Sequence, residues 1–274
     1  MSALLDIIQF MLWPLLACLL LPPILVYLGL HIIRREIIFV DLALAQVAAL
    51  GTCLAILVGH HEEWQSYAWS LSFTLVGAAI FTLSRTKKGE VPQEALIGII
   101  YVVAAAAGIL LLSRSPEGVE ELQRTLVGDV LLVTRANVLR TFGIYLVIAA
   151  IHMALRKKFI RLSFEPDQAV ATGMRVRLWD FLFYCLFGII VTSFVQIGGV
   201  LLTFSYLIVP AVCATFLAAR LATRLIVGWG IATISSIVAL YLSFRLDLPT
   251  GAAVVCVLGA ALLLTIGLTS LKRG

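Results

Sequence analysis

The sequence predicts an all-α polytopic membrane protein of about nine transmembrane helices, with its N-terminus outside and its C-terminus inside. Three observations carry that prediction. Of 274 residues, 62% are hydrophobic and 13% charged, about half the charged share of an ordinary soluble domain, and a mean hydropathy of +1.08 leaves too little polar surface to face water. Charged clusters cut the chain into apolar pieces, most of them close to the roughly 20 residues that cross a hydrocarbon core as a helix. The clusters alternate in composition, basic and then acidic or short, which is the asymmetry that sets orientation.

The spans run, in order, over 10–33, 38–59, 67–84, 94–112, 138–155, 178–196, 200–219, 226–244 and 251–270. None shows the ten-residue alternation of a barrel strand, so backbone satisfaction in lipid requires helices. Pro14, Pro22 and Pro23 are expected to bend the first span and Pro210 to kink the seventh, because proline removes a backbone donor. Asp6 stands where a signal peptide would be basic, so the first span is expected to stay in the protein.

Arg34 and Arg35, then Arg85, Lys87 and Lys88, then Arg156 to Arg177, then Arg220 and Arg224, and finally Lys272 and Arg273 place 15 of 20 basic residues on one side, the cytoplasm. The opposite connections hold His60, His61, Glu62 and Glu63, the acidic stretch with Glu117, Glu120 and Glu121, and the turn from Arg245 to Pro249. Two connections exceed turns. Leu126–Val133 is too short to cross and reads as a half-helix or re-entrant element. Within 159–176, the acidic residues and Pro166 open a short cytoplasmic helix, Glu165–Thr172, and Gly173 closes it.

Several function classes are excluded. There is no phosphate-binding P-loop, no G-x-S-x-G elbow and no H-E-x-x-H helix, so the chain is not expected to be an enzyme, and energy for pumping would come from a partner. The positive net charge of +5 lacks the basic, aromatic-interleaved stretch of a nucleic-acid binder. Cys18, Cys53, Cys185, Cys213 and Cys256 stand singly in apolar segments and read as buried hydrophobes.

Among ionisable residues, Asp41 lies farthest into a span, with Gln46 one turn further. A carboxylate and an amide oxygen suit a hard or borderline divalent cation. At spacing i, i+5, however, the two sit about 140° apart on a helix, so at most one contacts a given ion. The plainer readings are that Asp41 snorkels or pairs with Arg34 or Arg35, and that Gln46 bonds a neighbouring helix. His60 and His61, with the two glutamates after them, form an outer cluster that is either a solvated loop or a metal-capturing one. His31 and His152 read as membrane-edge histidines, and Glu94 and Asp180 as helix N-terminal acids.

The stretch Gly29–Gly51, GLHIIRREIIFVDLALAQVAALG, resembles the second-helix signature of the permease subunits of ABC-type zinc, manganese and iron importers. Four further segments resemble that family in order along nearly the whole chain: Gln93–Gly98, Gly128–Leu131, Phe164–Ala169 with Gly173, and Gly199–Leu202 through Leu207–Ala211. The resemblance implies one permease domain over 1–274, of the type II importer fold seen in the vitamin B12 permease. Its coupling segment would be 159–176, with Glu165, Pro166, Asp167, Gln168, Ala169 and Gly173 meeting the ATPase. It implies a homodimer in a bacterial-type plasma (inner) membrane, ABC ATPase subunits inside holding the ATP, and a metal-binding protein outside. The cargo would be a divalent transition metal, zinc, manganese or iron, free or chelated, moved by alternating access, with no cofactor held by this chain. One departure stands out, since the family's histidine four residues after the aspartate is Ala45 here. The alternative reading is an ion- or proton-coupled secondary transporter working alone, with Asp41 as its titrating group.

Overall fold

The computed structural model describes residues 2–60, 62–84, 92–113, 126–128 and 130–271, the side chains of 2–10 excepted. His61, the cluster of Arg85, Lys87 and Lys88, the acidic stretch at 117–121, Asp129 and the basic C-terminal pair lie outside them. The described residues form α1 (Ser2–Leu20), α2 (Pro22–Arg35), α3 (Val40–Leu57), α4 (Glu63–Leu83) and α5 (Gln93–Leu112). After a 3₁₀ turn at Val130–Leu132 come α6 (Arg135–Ala154), α7 (Arg156–Phe164), α8 (Pro166–Ala171), α9 (Val176–Leu217), α10 (Leu221–Leu246) and α11 (Thr250–Leu271).

Eight helical stretches among the described residues are long and apolar enough to cross a membrane. One of them, α9, has 42 residues, about 63 Å at about 1.5 Å per residue, twice the hydrocarbon thickness. Its backbone leaves the helical region at Gly199 (φ 71°, ψ 174°), a conformation that L side chains resist. The break divides α9 into two span-length halves, which restores the expected nine. The helix stays continuous through Pro210, so the kink expected there falls eleven residues earlier, at the glycine.

The N-terminal region also differs from expectation. Pro14 sits within a continuous α1, while Pro22 and Pro23 interrupt the helix at Leu21 and open α2 instead of bending one span. Proline is tolerated in a first turn, where its missing N–H has no partner to lose. The element expected over 126–133 is, among its described residues, two helical residues and a single 3₁₀ turn, not a half-helix.

The chain divides into two compact units. The first comprises 1–30, 127–147 and 197–274. Within it α1 packs on α10, and α10 on α11. Gly29 of α2 lies against α9 so closely that an added Cβ would sit 1.8 Å from the Leu207 carbonyl oxygen. Gly29→Val is therefore expected to abolish a folded protein, seen as loss of the monodisperse peak in detergent chromatography, because a backbone contact cannot relax as a side chain does. The second unit comprises 31–126 and 148–196, where α3 packs on α4 and α5. Its helices are tied by polar contacts inside the apolar layer. Thr74 and Thr192 hydroxyls lie 2.8 Å apart, Tyr67 and Ser193 hydroxyls 3.0 Å apart, and Ser70 donates to the Ala48 carbonyl. Such bonds fasten spans where lipid offers no hydrophobic drive between helices.

Candidate functional site

Asp41 is the second residue of α3 and is 1% exposed, so it faces the interior of the protein. Neither carboxylate oxygen has a hydrogen-bond partner among the described residues. Arg35, six residues earlier, is engaged elsewhere, with Nη1 donating to Asp180 Oδ1 at 3.0 Å. The expected alternative pairing is thus not the arrangement found. Gln46 is also buried, at 5% exposure. Asp41 thus stands in the first turn of α3, where the free backbone N–H groups and the helix dipole favour a carboxylate, and it is shut off from bulk solvent.

The outer histidines are placed differently. His60 Nδ1 accepts a 2.9 Å hydrogen bond from Trp69 Nε1. In the neutral ring that leaves the proton on Nε2, so His60 as placed has no lone pair for a metal. His61 lies outside the described residues. Among those residues, no three His, Cys, Asp or Glu side chains converge on a common point.

At the C-terminal end of α2, the short helices α7 and α8 form a compact element. α7 carries Arg156, Lys157, Lys158 and Arg161 on one face and buries Phe159, Leu162 and Ser163 on the other. Pro166 starts α8, where a missing donor is harmless, and Gly173, at φ 69°, follows its end. Ala169 is fully buried and seats α8 on its own unit, whereas Glu165, Pro166, Asp167, Gln168 and Val170 are exposed, Val170 by 66%. The protruding residues, and not Ala169, are available to another molecule.

Between α7 and the ends of α2 and α9 lies a buried polar cluster. Ser163 Oγ accepts from Arg35 Nε at 2.7 Å and lies 2.8 Å from His31 Nδ1. The Arg35 guanidinium lies 3.8 Å over the Phe183 ring, and His152 stacks on Phe159 at 4.5 Å between centroids. A cavity of about 280 Å³ beside the cluster is lined by Arg34, Arg35, Glu36, Ser163, Pro166 and Tyr184, among others.

The family model described as the ABC 3 transport family matches residues 7–269. The chain belongs to that family. ABC 3 membership makes it the membrane-spanning permease type of transporter subunit, a multi-span membrane protein. Manganese transport system membrane proteins of Listeria monocytogenes and Halalkalibacterium halodurans are 28% and 27% identical, over 70% and 84% of this chain and 70% and 77% of theirs. A chelated iron transport system membrane protein of Yersinia pestis is 28% identical over 69% of this chain and 66% of its own. Among solved structures, PsaBC of Streptococcus pneumoniae in complex with Fab superposes with a TM-score of 0.80, covering 96% of this chain and 94% of that one at 21% identity. An inward-facing metal-chelate type ABC transporter gives 0.70, over 93% and 85%, also at 21% identity. These two likenesses show that the chain shares their fold.

Four residues of this ABC 3 chain have roles that local sequence context did not disclose. Asp180, read as a helix N-terminal acid, is the fully buried partner of Arg35. Glu94 accepts from the Ile38 backbone N–H and so holds the turn between α2 and α3. His31 and His152, read as edge residues, are 0% and 2% exposed. The partners of Asp180, Glu94 and His31 lie 145, 56 and 132 residues away in the chain, beyond the reach of any local signal.

Proposed function

We propose that this chain is one of two identical permease subunits of an ATP-driven importer for a divalent transition metal in a bacterial plasma (inner) membrane. The observation that carries the reading is Asp41, a carboxylate 1% exposed on a span helix whose oxygens have no partner among the described residues, in a chain of an ABC transport family. A soluble metal-binding protein delivers the ion from outside, and two ATPase subunits dock on the exposed face of α8. ATP binding and hydrolysis there move the permease between outward and inward access, and Asp41 draws the ion through by charge. The names of the manganese and iron relatives support the cargo class. Ala45, where the family resemblance leads one to expect histidine, removes an imidazole from beside Asp41. The oxygen donors that remain suit manganese better than zinc.

Cells lacking their own manganese, iron and zinc importers provide the test. Co-expression of the chain with its ATPase and binding protein is expected to raise cellular manganese or iron, measured by mass spectrometry, and to raise zinc less. A rise in none of the three would remove the metal assignment.

A further inference from the structure

The α7–α8 element is bolted to the helix that leads into Asp41. We propose that Arg35 and Ser163 form a mechanical latch that makes the α2–α3 turn, and with it Asp41, move together with α8; they are positioning residues for transport. The inference rests on the reading of α8 as the ATPase-docking helix.

Ser163 stands in the last turn of α7, three residues before Pro166. Its one hydroxyl bridges His31 and Arg35, which are a single helical turn apart on α2. Arg35 then reaches with a second nitrogen to Asp180 in the first turns of α9, while its plane lies on Phe183. Phe164, next to Ser163, meets the His31 ring edge-on at 5.4 Å. The latch is almost closed to solvent, with His31 and Asp180 0%, Ser163 3% and the Arg35 side chain 7% exposed.

From the latch to Asp41 the chain has little slack. Only 36–39 separate α2 from α3. Glu36 takes a left-handed conformation (φ 57°), and its N–H and that of Ile37 return to the Ile33 and Ile32 carbonyls. The Ile38 N–H is tied to Glu94 of α5. A short turn bonded in this way passes a displacement on instead of absorbing it, because packed elements move as units. Stability does not explain the latch, since a buried ion pair holds a fold no better than apolar side chains of the same volume. A fork of charged hydrogen bonds does fix one geometry.

The test uses Ser163→Ala and Arg35→Lys, the second retaining the buried charge while removing the fork, and their double variant, each as the complete transporter in proteoliposomes. Expected is a drop of about fivefold or more in metal moved per ATP hydrolysed for each single variant, with hydrolysis within about twofold of wild type. The double variant should be no worse than the poorer single one. An unchanged ratio in both singles, a parallel fall of hydrolysis and uptake, or losses that multiply in the double variant would overturn the latch. A second readout needs neither metal nor ATPase. Spin labels at Phe39→Cys and Ala171→Cys, with the native cysteines replaced, should give one narrow distance in the permease alone and a broadened one with Ser163→Ala. Equal widths with and without the Ser163 hydroxyl would also overturn it. Wild-type transporter without ATP-dependent uptake, beside a narrow distance that Ser163→Ala broadens, would instead remove the importer reading and leave the mechanical tie standing.

Discussion

Asp41→Asn is expected to lower metal uptake by about tenfold or more while leaving assembly with the ATPase intact. A carboxylate and a divalent ion at about 4 Å attract by several kcal/mol even at an effective dielectric near 20. A tenfold change requires only about 1.4 kcal/mol of that to survive desolvation of the ion. The same substitution should leave the melting temperature of the permease unchanged or raise it, because it removes a buried charge that has no partner among the described residues. Uptake assays on purified, reconstituted protein check the first part and thermal unfolding in detergent the second. Wild-type uptake rates for manganese and iron would end the electrostatic role. Gln46→Ala should cost less, since that amide lies on a different face of α3.

The second large effect is expected at α8, where two neighbouring residues should fail in different ways. Val170 is 66% exposed on the face turned away from its own unit, so Val170→Asp should leave the permease's stability alone. It should weaken ATPase association by about tenfold to a hundredfold, the range of an interface anchor worth roughly 1–3 kcal/mol, and uptake should fall with it. Ala169 is 0% exposed, so Ala169→Leu should destabilise the permease itself by about 1–3 kcal/mol through overpacking. Co-purification with the ATPase and thermal unfolding of the permease alone separate the two. If Val170→Asp bound ATPase normally, the docking face would have to be sought elsewhere.

The membrane architecture was legible because lipid imposes a simple rule on each segment separately. Apolar length is a local property and located the spans within a few residues, and Pro166 and Gly173 did the same for the short helix α8. The separation of 178–196 from 200–219 was visible as well, since a rod of 42 residues does not fit one bilayer and Gly198–Gly199 offers a break. What was not legible depends on partners distant in the chain. Arg35 and Asp180 are 145 residues apart, and Arg35 and Ser163 128 apart. Nothing in the local sequence of Asp180 distinguishes a helix N-terminal acid from a buried counter-ion. His31 and His152 looked like edge residues because basic residues follow them, yet the α7 aromatics cover them. Ala169 was expected to meet the ATPase because its segment resembles the family's coupling element. It is 0% exposed, and its small side chain lets α8 sit down on its own protein.

Energy coupling is the centre of this account, and reconstitution of the whole transporter measures it most directly. Proteoliposomes carrying permease, ATPase and binding protein should accumulate manganese or iron only when ATP reaches the ATPase side. Ionophores that collapse proton and sodium gradients should leave that accumulation unchanged, and an ATPase lacking its P-loop lysine should abolish it. Accumulation by the permease alone, driven by a proton or sodium gradient and lost with the ionophore, would contradict the account and make Asp41 the titrating group of a secondary transporter.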